Sequence, residues 1–307
     1  MPSTKFKCPD GQTIEIQRCL ENKGCRMSSR CATLPYLRLV GFDREFKGVS
    51  PSSAGNGARQ IFLKATTDYI VDPADRVWAS IGTGTHGKLS IHEYTNNVLS
   101  EEVLSDELMQ GISDVLEQDE DGSGFILYDY KTWGSFKVAK AIGLYIEKTE
   151  KPILDAEGNP VLLKSGENKG KPKTVTEKKI IIDPEKADLR GEELQLNRYR
   201  IFFEKKGFPI SKMIIQAIPR DGNTYIAENR GIDKTIYLVP IKRLPDEDVL
   251  NYYKQLSDRV NAAIRTGITP EMCNSWETWE GRRCKGYCEV SEECFLRAAT
   301  VKKLKEL

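Results

Sequence analysis

An α/β protein with a central mixed sheet flanked by helices is the fold class this sequence predicts. Three observations predict it. Two strand-like runs, "GISDVLE" from residue 111 and "GFILYDY" from 124, stand either side of the turn-like "QDEDGS". Segments 185–207 and 245–267 carry helix start and stop signals. The elements then follow the order strand, strand, helix, insertion, helix, strand, strand, helix, which requires a sheet with helices against it.

Taken in order, residues 1–33 form a cysteine-bearing lead segment, 34–269 the core, and 270–307 a second cysteine segment. "SPSSAGNGA" (50–58) is a loop. "RVWASIGTGTHGKLSIHEYTNNVL" (76–99) reads mainly as helix with a Gly-Thr interruption at its middle, and His92 as an ordinary helix histidine. "SFKVAKAIGLYIEK" (135–148) has apolar residues at helical spacing. The insertion over 150–184 has apolar runs at 152–154, 161–163 and 180–182, divided by Gly, Asn and Pro, and predicts a projecting hairpin. "EKADLRGEELQLNRYRIFFEKKG" is a helix that Gly207 stops. "SKMIIQAI" and "KTIYLVPI" are strands, and 245–267 opens with proline and acids, as helix N-termini do.

Composition describes an ordinary soluble protein, with 39% apolar and 30% charged residues. No apolar run has membrane-spanning length, and the polar start "MPSTKFKCPDGQ" is no secretory leader, so a cytoplasmic protein without a membrane partner is expected. A net charge of +1 gives no overall basic field to attract nucleic acid. Local charge is uneven: residues 101–121 hold nine acids and no base, and 164–179 hold six lysines against two glutamates. By themselves such runs are solvated faces or loops. The eight cysteines fall into two groups of four: Cys8, Cys19, Cys25 and Cys31, then Cys273, Cys284, Cys288 and Cys294. In a reducing compartment, clustering of this kind argues for metal held by thiolates.

The chemistry centres on "ILYDYKT". Asp129 and Lys131 stand at i and i+2 of a strand and so share a face. Alone they would be an edge ion pair contributing about 0–1 kcal/mol. Asp114, in "GISD", would be brought near Asp129 by antiparallel pairing across the short turn. Two converging carboxylates repel unless a cation or proton lies between them. Hard oxygen ligands of this type suit Mg²⁺ or Mn²⁺. Lys131 beside them could polarise a water or steady developing phosphoryl charge. This is the equipment of phosphodiester hydrolysis.

"GISD" followed by "ILYDYKT" resembles the PD-(D/E)xK nuclease superfamily, in particular its RecB-like exonuclease branch. "GTGTH" (82–86) is similar to that branch's G-T-x-x-H motif, and "QLNRY" (195–199) to its Q-x-x-x-Y motif. The terminal cysteines resemble those of its iron–sulfur members, the AddB-type and CRISPR adaptation nucleases. Ser113 stands where the superfamily's proline would be, as is usual in this branch. The resemblance implies a restriction-endonuclease-like core in which His86, Asp114, Asp129 and the carbonyl of Tyr130 ligate Mg²⁺ or Mn²⁺. It implies that Lys131 activates the attacking water, and that Gln195 and Tyr199 organise Lys131 and the phosphate. Gln195 and Tyr199, at i and i+4, would otherwise be an ordinary polar helix face. Glu107 reads as a surface acid.

For the cysteines, the resemblance implies three C-terminal ligands, Cys284, Cys288 and Cys294, joined by one from before the core, here Cys31, around a [4Fe–4S] cluster. The residues equally allow each terminus its own four-cysteine site, with Cys273 in the second, and Zn²⁺ would suit either. Trp276 and Trp279 could stack on bases or pack near the cysteines. The expected function is a metal-dependent DNA exonuclease in recombination, repair or phage DNA metabolism. Its substrate would be single- or double-stranded DNA ends, and a helicase or recombination protein could be its partner. Lys169, Lys171 and Lys173 would touch the DNA backbone. Two rivals stand beside this: a catalytically idle nuclease fold used for DNA binding or complex assembly, and a restriction-type endonuclease. Keeping Asp114, Asp129 and Lys131 together argues against the first, and "QLNRY" with the terminal cysteines against the second.

Overall fold

The structure, a computed structural model, describes the chain apart from residues 1, 2, 22, 24, 28, 43, 44, 90, 92–96, 306 and 307, with side chains described as far as residue 300. His92 and its expected helical setting lie outside the described residues. The class is α/β, with mixed sheets flanked by helices. Strands β1 (Lys5–Lys7) and β2 (Thr13–Glu15) are antiparallel. Helices α1 (Ile16–Leu20), α2 (Leu34–Val40) and α3 (Ala58–Thr66) follow, and β3 (Ile70–Val71) returns to pair in parallel with β1. After α4 (Val77–Leu89) come β4 (Val98–Ser105), β5 (Gln110–Gln118) and β6 (Phe125–Trp133). The remainder is α5 (Ser135–Ala141), β7 (Leu144–Pro152), β8 (Thr174–Ile182), α6 (Arg190–Lys205), β9 (Ile210–Pro219), α7 (Tyr225–Asn229), β10 (Tyr237–Pro240), α8 (Asp246–Thr266) and α9 (Ser291–Lys305). A five-stranded sheet has the order β10-β9-β6-β5-β4.

The chain gathers into two compact units. The first comprises residues 1–130, 190–214 and 240–307, and therefore contains both cysteine groups. The second comprises 131–189 and 215–239, so β6 leaves the first unit between Tyr130 and Lys131.

In the first unit, α6 is buried nearly all round, with Leu196, Tyr199, Ile201, Phe202 and Phe203 in the core. A helix enclosed in this way must satisfy its polar side chains internally. Helix α8 packs one face inward through Val249, Tyr253, Leu256, Val260 and Ala263, at alternating spacings of about three and four. Asp246, Glu247 and Asp248 lie at its positive end, and Gly267, left-handed with φ 71°, closes it. Each large apolar side chain buried this way contributes about 1.5–3 kcal/mol.

The second unit is dominated by the β7–β8 hairpin, in register from Leu144–Ile182 to Pro152–Thr174 and prolonged by the bridges Leu154–Pro160 and Leu162–Pro172. The expected projecting hairpin is there, but it begins at Leu144. The expected helix over 135–148 instead ends at Ala141 and gives way to β7. Gly143 is the reason: its φ is 69°, and a Cβ there would lie 1.8 Å from the Asp183 carbonyl oxygen. The helical apolar spacing continues past this point, but the backbone cannot follow it.

Two other expectations are corrected. The helix expected over 76–99 runs unbroken through its Gly-Thr stretch but stops at Leu89, and Val98–Ser105 is strand β4, paired along β5. The helix expected from 185 starts at Arg190, because Ala187, extended at ψ 134°, breaks it from the turn at Pro184–Lys186. Helices α3 and α9 had no counterpart in the expected series. Among the described residues, no helix is long and apolar enough to cross a membrane.

Candidate metal centre

Strands β5 and β6 pair from Gln118–Phe125 as far as Val115–Tyr128. One step further along stand Asp114 and Asp129. There the Tyr130 N–H donates to the Asp114 carboxylate, Oδ2, at 2.7 Å, a side chain taking the bond that a ladder would give to a carbonyl. The two strands thus part where the two expected carboxylates lie. Both are buried, Asp114 9% and Asp129 3% exposed. A buried carboxylate is retained only with fixed partners. For Asp129 one of these is Gln195, whose Nε2 donates to Oδ1 at 2.9 Å.

Asp114 turns its other oxygen to His86 near the C-terminal end of α4, with Nδ1 3.2 Å from Oδ1. Glu101 adds a third group, Oε1 lying 4.0 Å from the same nitrogen. The candidate ligand atoms of His86, Glu101 and Asp114 all lie within 4.8 Å of one another. One imidazole nitrogen with two carboxylate oxygens is a donor set that can hold a divalent cation of the Mg²⁺ or Mn²⁺ type. Tyr130 sets its ring edge-on to His86, centroids 6.1 Å apart, which fixes the imidazole plane.

Glu101 was not among the expected ligands. Pairing between β4 and β5 includes Ser100–Val115 and Glu102–Ser113, and Glu101, facing Asp114 between them, has a φ of 51°. A non-glycine residue in the left-handed region costs about 1–3 kcal/mol, and such strain gathers at functional sites. The acidic run 101–121 was the one available signal, and it does not distinguish this acid from its neighbours.

Behind the carboxylates, Tyr199 is buried, its hydroxyl bonded by the Ile112 N–H and the Gln195 amide. Burial pushes its phenol well above the ordinary tyrosine value, and the charges of Asp129 and Asp114 push it further. Gln195 and Tyr199 therefore brace the carboxylates. Gly111 lets Tyr199 in: a Cβ there would stand 2.7 Å from Pro51 Cδ and 2.9 Å from Tyr199 Cε1. Lys131 is half-buried and shares the face of Asp129 by strand periodicity. Lys169, Lys171 and Lys173 lie exposed on the arm beyond β7, where Lys171 Nζ donates to Asn168 at 2.9 Å.

The C-terminal cysteines share one setting. Cys273, Cys284, Cys288 and Cys294 line a single cavity together with Gln60 and Arg283. No three cysteine sulfurs among the described residues converge as closely as the His86 group does, but donors are already aimed at them. Arg59 Nε donates to Cys294 Sγ at 3.0 Å. Burial raises the Cys273 thiol to about 11, against a lowering bond from the Gln60 N–H. Burial also raises Cys288, against the Val290 N–H and Arg283. N–H donors around sulfur suit a bound metal thiolate, whose charge they offset. Trp276 is packed by Arg190, 4.3 Å above its ring, and Trp279 remains exposed.

No protein-family model matches this chain, and no curated protein sequence matches it either.

Proposed function

We propose that this chain is a Mg²⁺- or Mn²⁺-dependent deoxyribonuclease of the PD-(D/E)xK, RecB-like kind, a cytoplasmic exonuclease of recombination, repair or phage DNA metabolism. The observation that carries this reading is the meeting of His86, Glu101 and Asp114 where the β5–β6 ladder gives out, with Asp129 one step along. A divalent ion held there would polarise a phosphoryl oxygen and lower the pKa of a bound water. The remaining work falls to the chain's own groups. The Tyr130 N–H fixes the Asp114 carboxylate so that its second oxygen faces His86. Gln195 orients Asp129, and Tyr199 holds Gln195 in place. The Tyr130 carbonyl completes the proposed ligand set. Lys131 supplies an ammonium to orient the attacking water and meet phosphate charge.

Lys169, Lys171 and Lys173 on the exposed arm are assigned to the DNA backbone, where each contact is lost with rising salt. The four C-terminal cysteines are assigned a [4Fe–4S] cluster or Zn²⁺. The deciding experiment incubates purified protein with end-labelled linear and closed circular DNA, single- and double-stranded, with Mg²⁺ or Mn²⁺. Linear DNA should be degraded and circles spared, and Lys131→Ala should abolish degradation while DNA binding persists. Binding without cleavage of any form would leave a DNA-binding module, and cleavage of circles would make the chain an endonuclease.

A further inference from the structure

The β7–β8 hairpin is a two-stranded sheet of its own, and beyond its base both faces are open: residues 147–152 and 174–180 are all exposed. A ribbon of two strands alone in water is marginally stable at best. Its nine-residue ladder, at about 3.3 Å per residue, reaches about 30 Å from end to end.

Side chains alternate between the two faces along each strand, and the register sets them in opposed pairs. On one face the charges are matched. Glu147 stands directly opposite Lys179, and Lys151 is bonded to Glu177 at 2.5 Å. On the other face Lys148 stands directly opposite Lys178. Cβ atoms opposed in this way are about 4.5–5.5 Å apart, and like charges so placed are destabilising. Both lysines are exposed, and neither has an ion-pair or hydrogen-bond partner among the described residues. Glu150, opposite Thr176, is the one acid on this face of the ladder, so the face keeps a net positive charge. Nearer the base the same face turns apolar, with Ile146 opposite Ile180, and meets Gly231, where a Cβ would stand 3.0 Å from Ile180 Cγ2. Lysines on an open ribbon also keep its edges from pairing with another chain. Either face would serve that purpose, so it does not account for matched charges on one and opposed lysines on the other.

We propose that the Lys148–Lys178 face of the hairpin holds the phosphate backbone of a nucleic acid strand, with the two ammoniums meeting at one phosphate. The identity of the polyanion rests on the DNA-degrading function proposed above. A phosphate between the lysines replaces one repulsion with two attractions, and release of its counterions makes the affinity salt-dependent. The contact positions the strand without reading its bases. The matched face stays in solvent.

The test measures binding of fluorescein-labelled single- and double-stranded DNA to the full-length protein by anisotropy, without divalent metal, across a salt series. Two double variants remove equal charge from opposite faces. Lys148→Gln with Lys178→Gln should weaken binding roughly tenfold and lower the log–log salt slope by about 0.7–0.9, the value for one phosphate. Lys151→Gln with Lys179→Gln should change both little. Lys178→Glu makes the opposed pair attractive, so it should slow thermolysin cleavage of the hairpin while weakening DNA binding more than Lys178→Gln does. Equal losses from the two double variants would overturn the proposal. So would DNA binding that Lys148→Gln with Lys178→Gln leaves intact, the result expected of a face that takes an acidic protein instead. Cleavage with Mn²⁺ is scored separately on the wild type: DNA bound by this face but never cut would refute the nuclease and leave the surface standing.

Discussion

Along α6, two kinds of polar side chain lie side by side, and they differ in what they bond. Asn197 donates to the Glu193 and Lys242 carbonyls at 2.8 Å and accepts from Arg200 and the Leu244 N–H. Arg200 bonds Glu204, the Leu244 carbonyl and Asp246. These bonds pin the lead into α8 and close upon themselves. Gln195 and Tyr199, from the same helix, bond towards Asp129 and the strand beside Asp114. Asn197 and Arg200 are fully buried and Tyr199 nearly so, while Gln195 is half-buried, so burial alone does not mark function here. The destination of the bonds does: one group completes the scaffold, and the other positions acids at the point where two strands part.

The comparison breaks most sharply at Asp114. Asp114→Asn keeps an oxygen for the Tyr130 N–H but removes one carboxylate from the His86–Glu101–Asp114 group. Mn²⁺ binding by calorimetry should be lost, and DNA cleavage should fall roughly ten-thousandfold, about 5.5 kcal/mol of transition-state stabilisation. The urea midpoint should stay or rise, since a buried charge is removed. A large drop in stability with Mn²⁺ binding retained would move Asp114 to the scaffold group.

Asn197→Leu should do the opposite. It leaves two carbonyls, the Leu244 N–H and a buried guanidinium nitrogen without their partner. A loss of about 3–4 kcal/mol in urea unfolding is expected, at about 1–3 kcal/mol per stranded buried group partly relieved by relaxation. Mn²⁺ affinity of the folded fraction should not change.

Asp114 and Asp129 were legible in the sequence because two period-2 runs joined by one short turn leave little choice of register. Glu101 was not, because its place depends on a left-handed residue in a strand whose start was read as helix. The break at Gly143 was hidden for a related reason: apolar spacing reports which faces are buried, while the close approach to Asp183 is a long-range contact. Cysteine spacing likewise could not say which thiols share a setting: Cys273, Cys284, Cys288 and Cys294 line one cavity.

Acid sharpens the comparison from the scaffold side. Arg198, fully buried and 4.0 Å from the Phe202 ring, is bonded to Asp106 at 2.5 Å. Burial would raise the Asp106 carboxyl, but Arg198 and the Leu108 and Met109 N–H groups overrule it and hold it below its ordinary value. A carboxyl depressed in the folded state stabilises above its unfolded pKa of about 3.9, and that stability is lost as pH falls through the lower folded value. Asp106→Asn should cost about 2 kcal/mol at pH 7, typical of a bond to a charged group, and flatten the stability curve below about pH 4. An unaltered acid limb would show that other carboxylates govern it.

The smallest effect belongs to Tyr199. Tyr199→Phe leaves the ring against Gly111 and removes the hydroxyl that the Ile112 N–H and Gln195 share. One unmade buried bond should cost about 1 kcal/mol, and a less firmly held Gln195 should lower cleavage several-fold with Mn²⁺ affinity unchanged. The pH dependence separates bracing from proton transfer. Because burial raises the folded phenol, the folded state keeps its proton more tightly than the unfolded chain does. The stabilisation is therefore constant below about pH 10 and is lost as pH rises above it, where Tyr199→Phe should flatten the stability curve. The pH profile of cleavage at pH 6–9 should keep its shape in the variant, since the hydroxyl stays protonated throughout. Disappearance of an alkaline limb of cleavage within that range would make Tyr199 a proton donor in the reaction and dissolve its pairing with Gln195 as a brace.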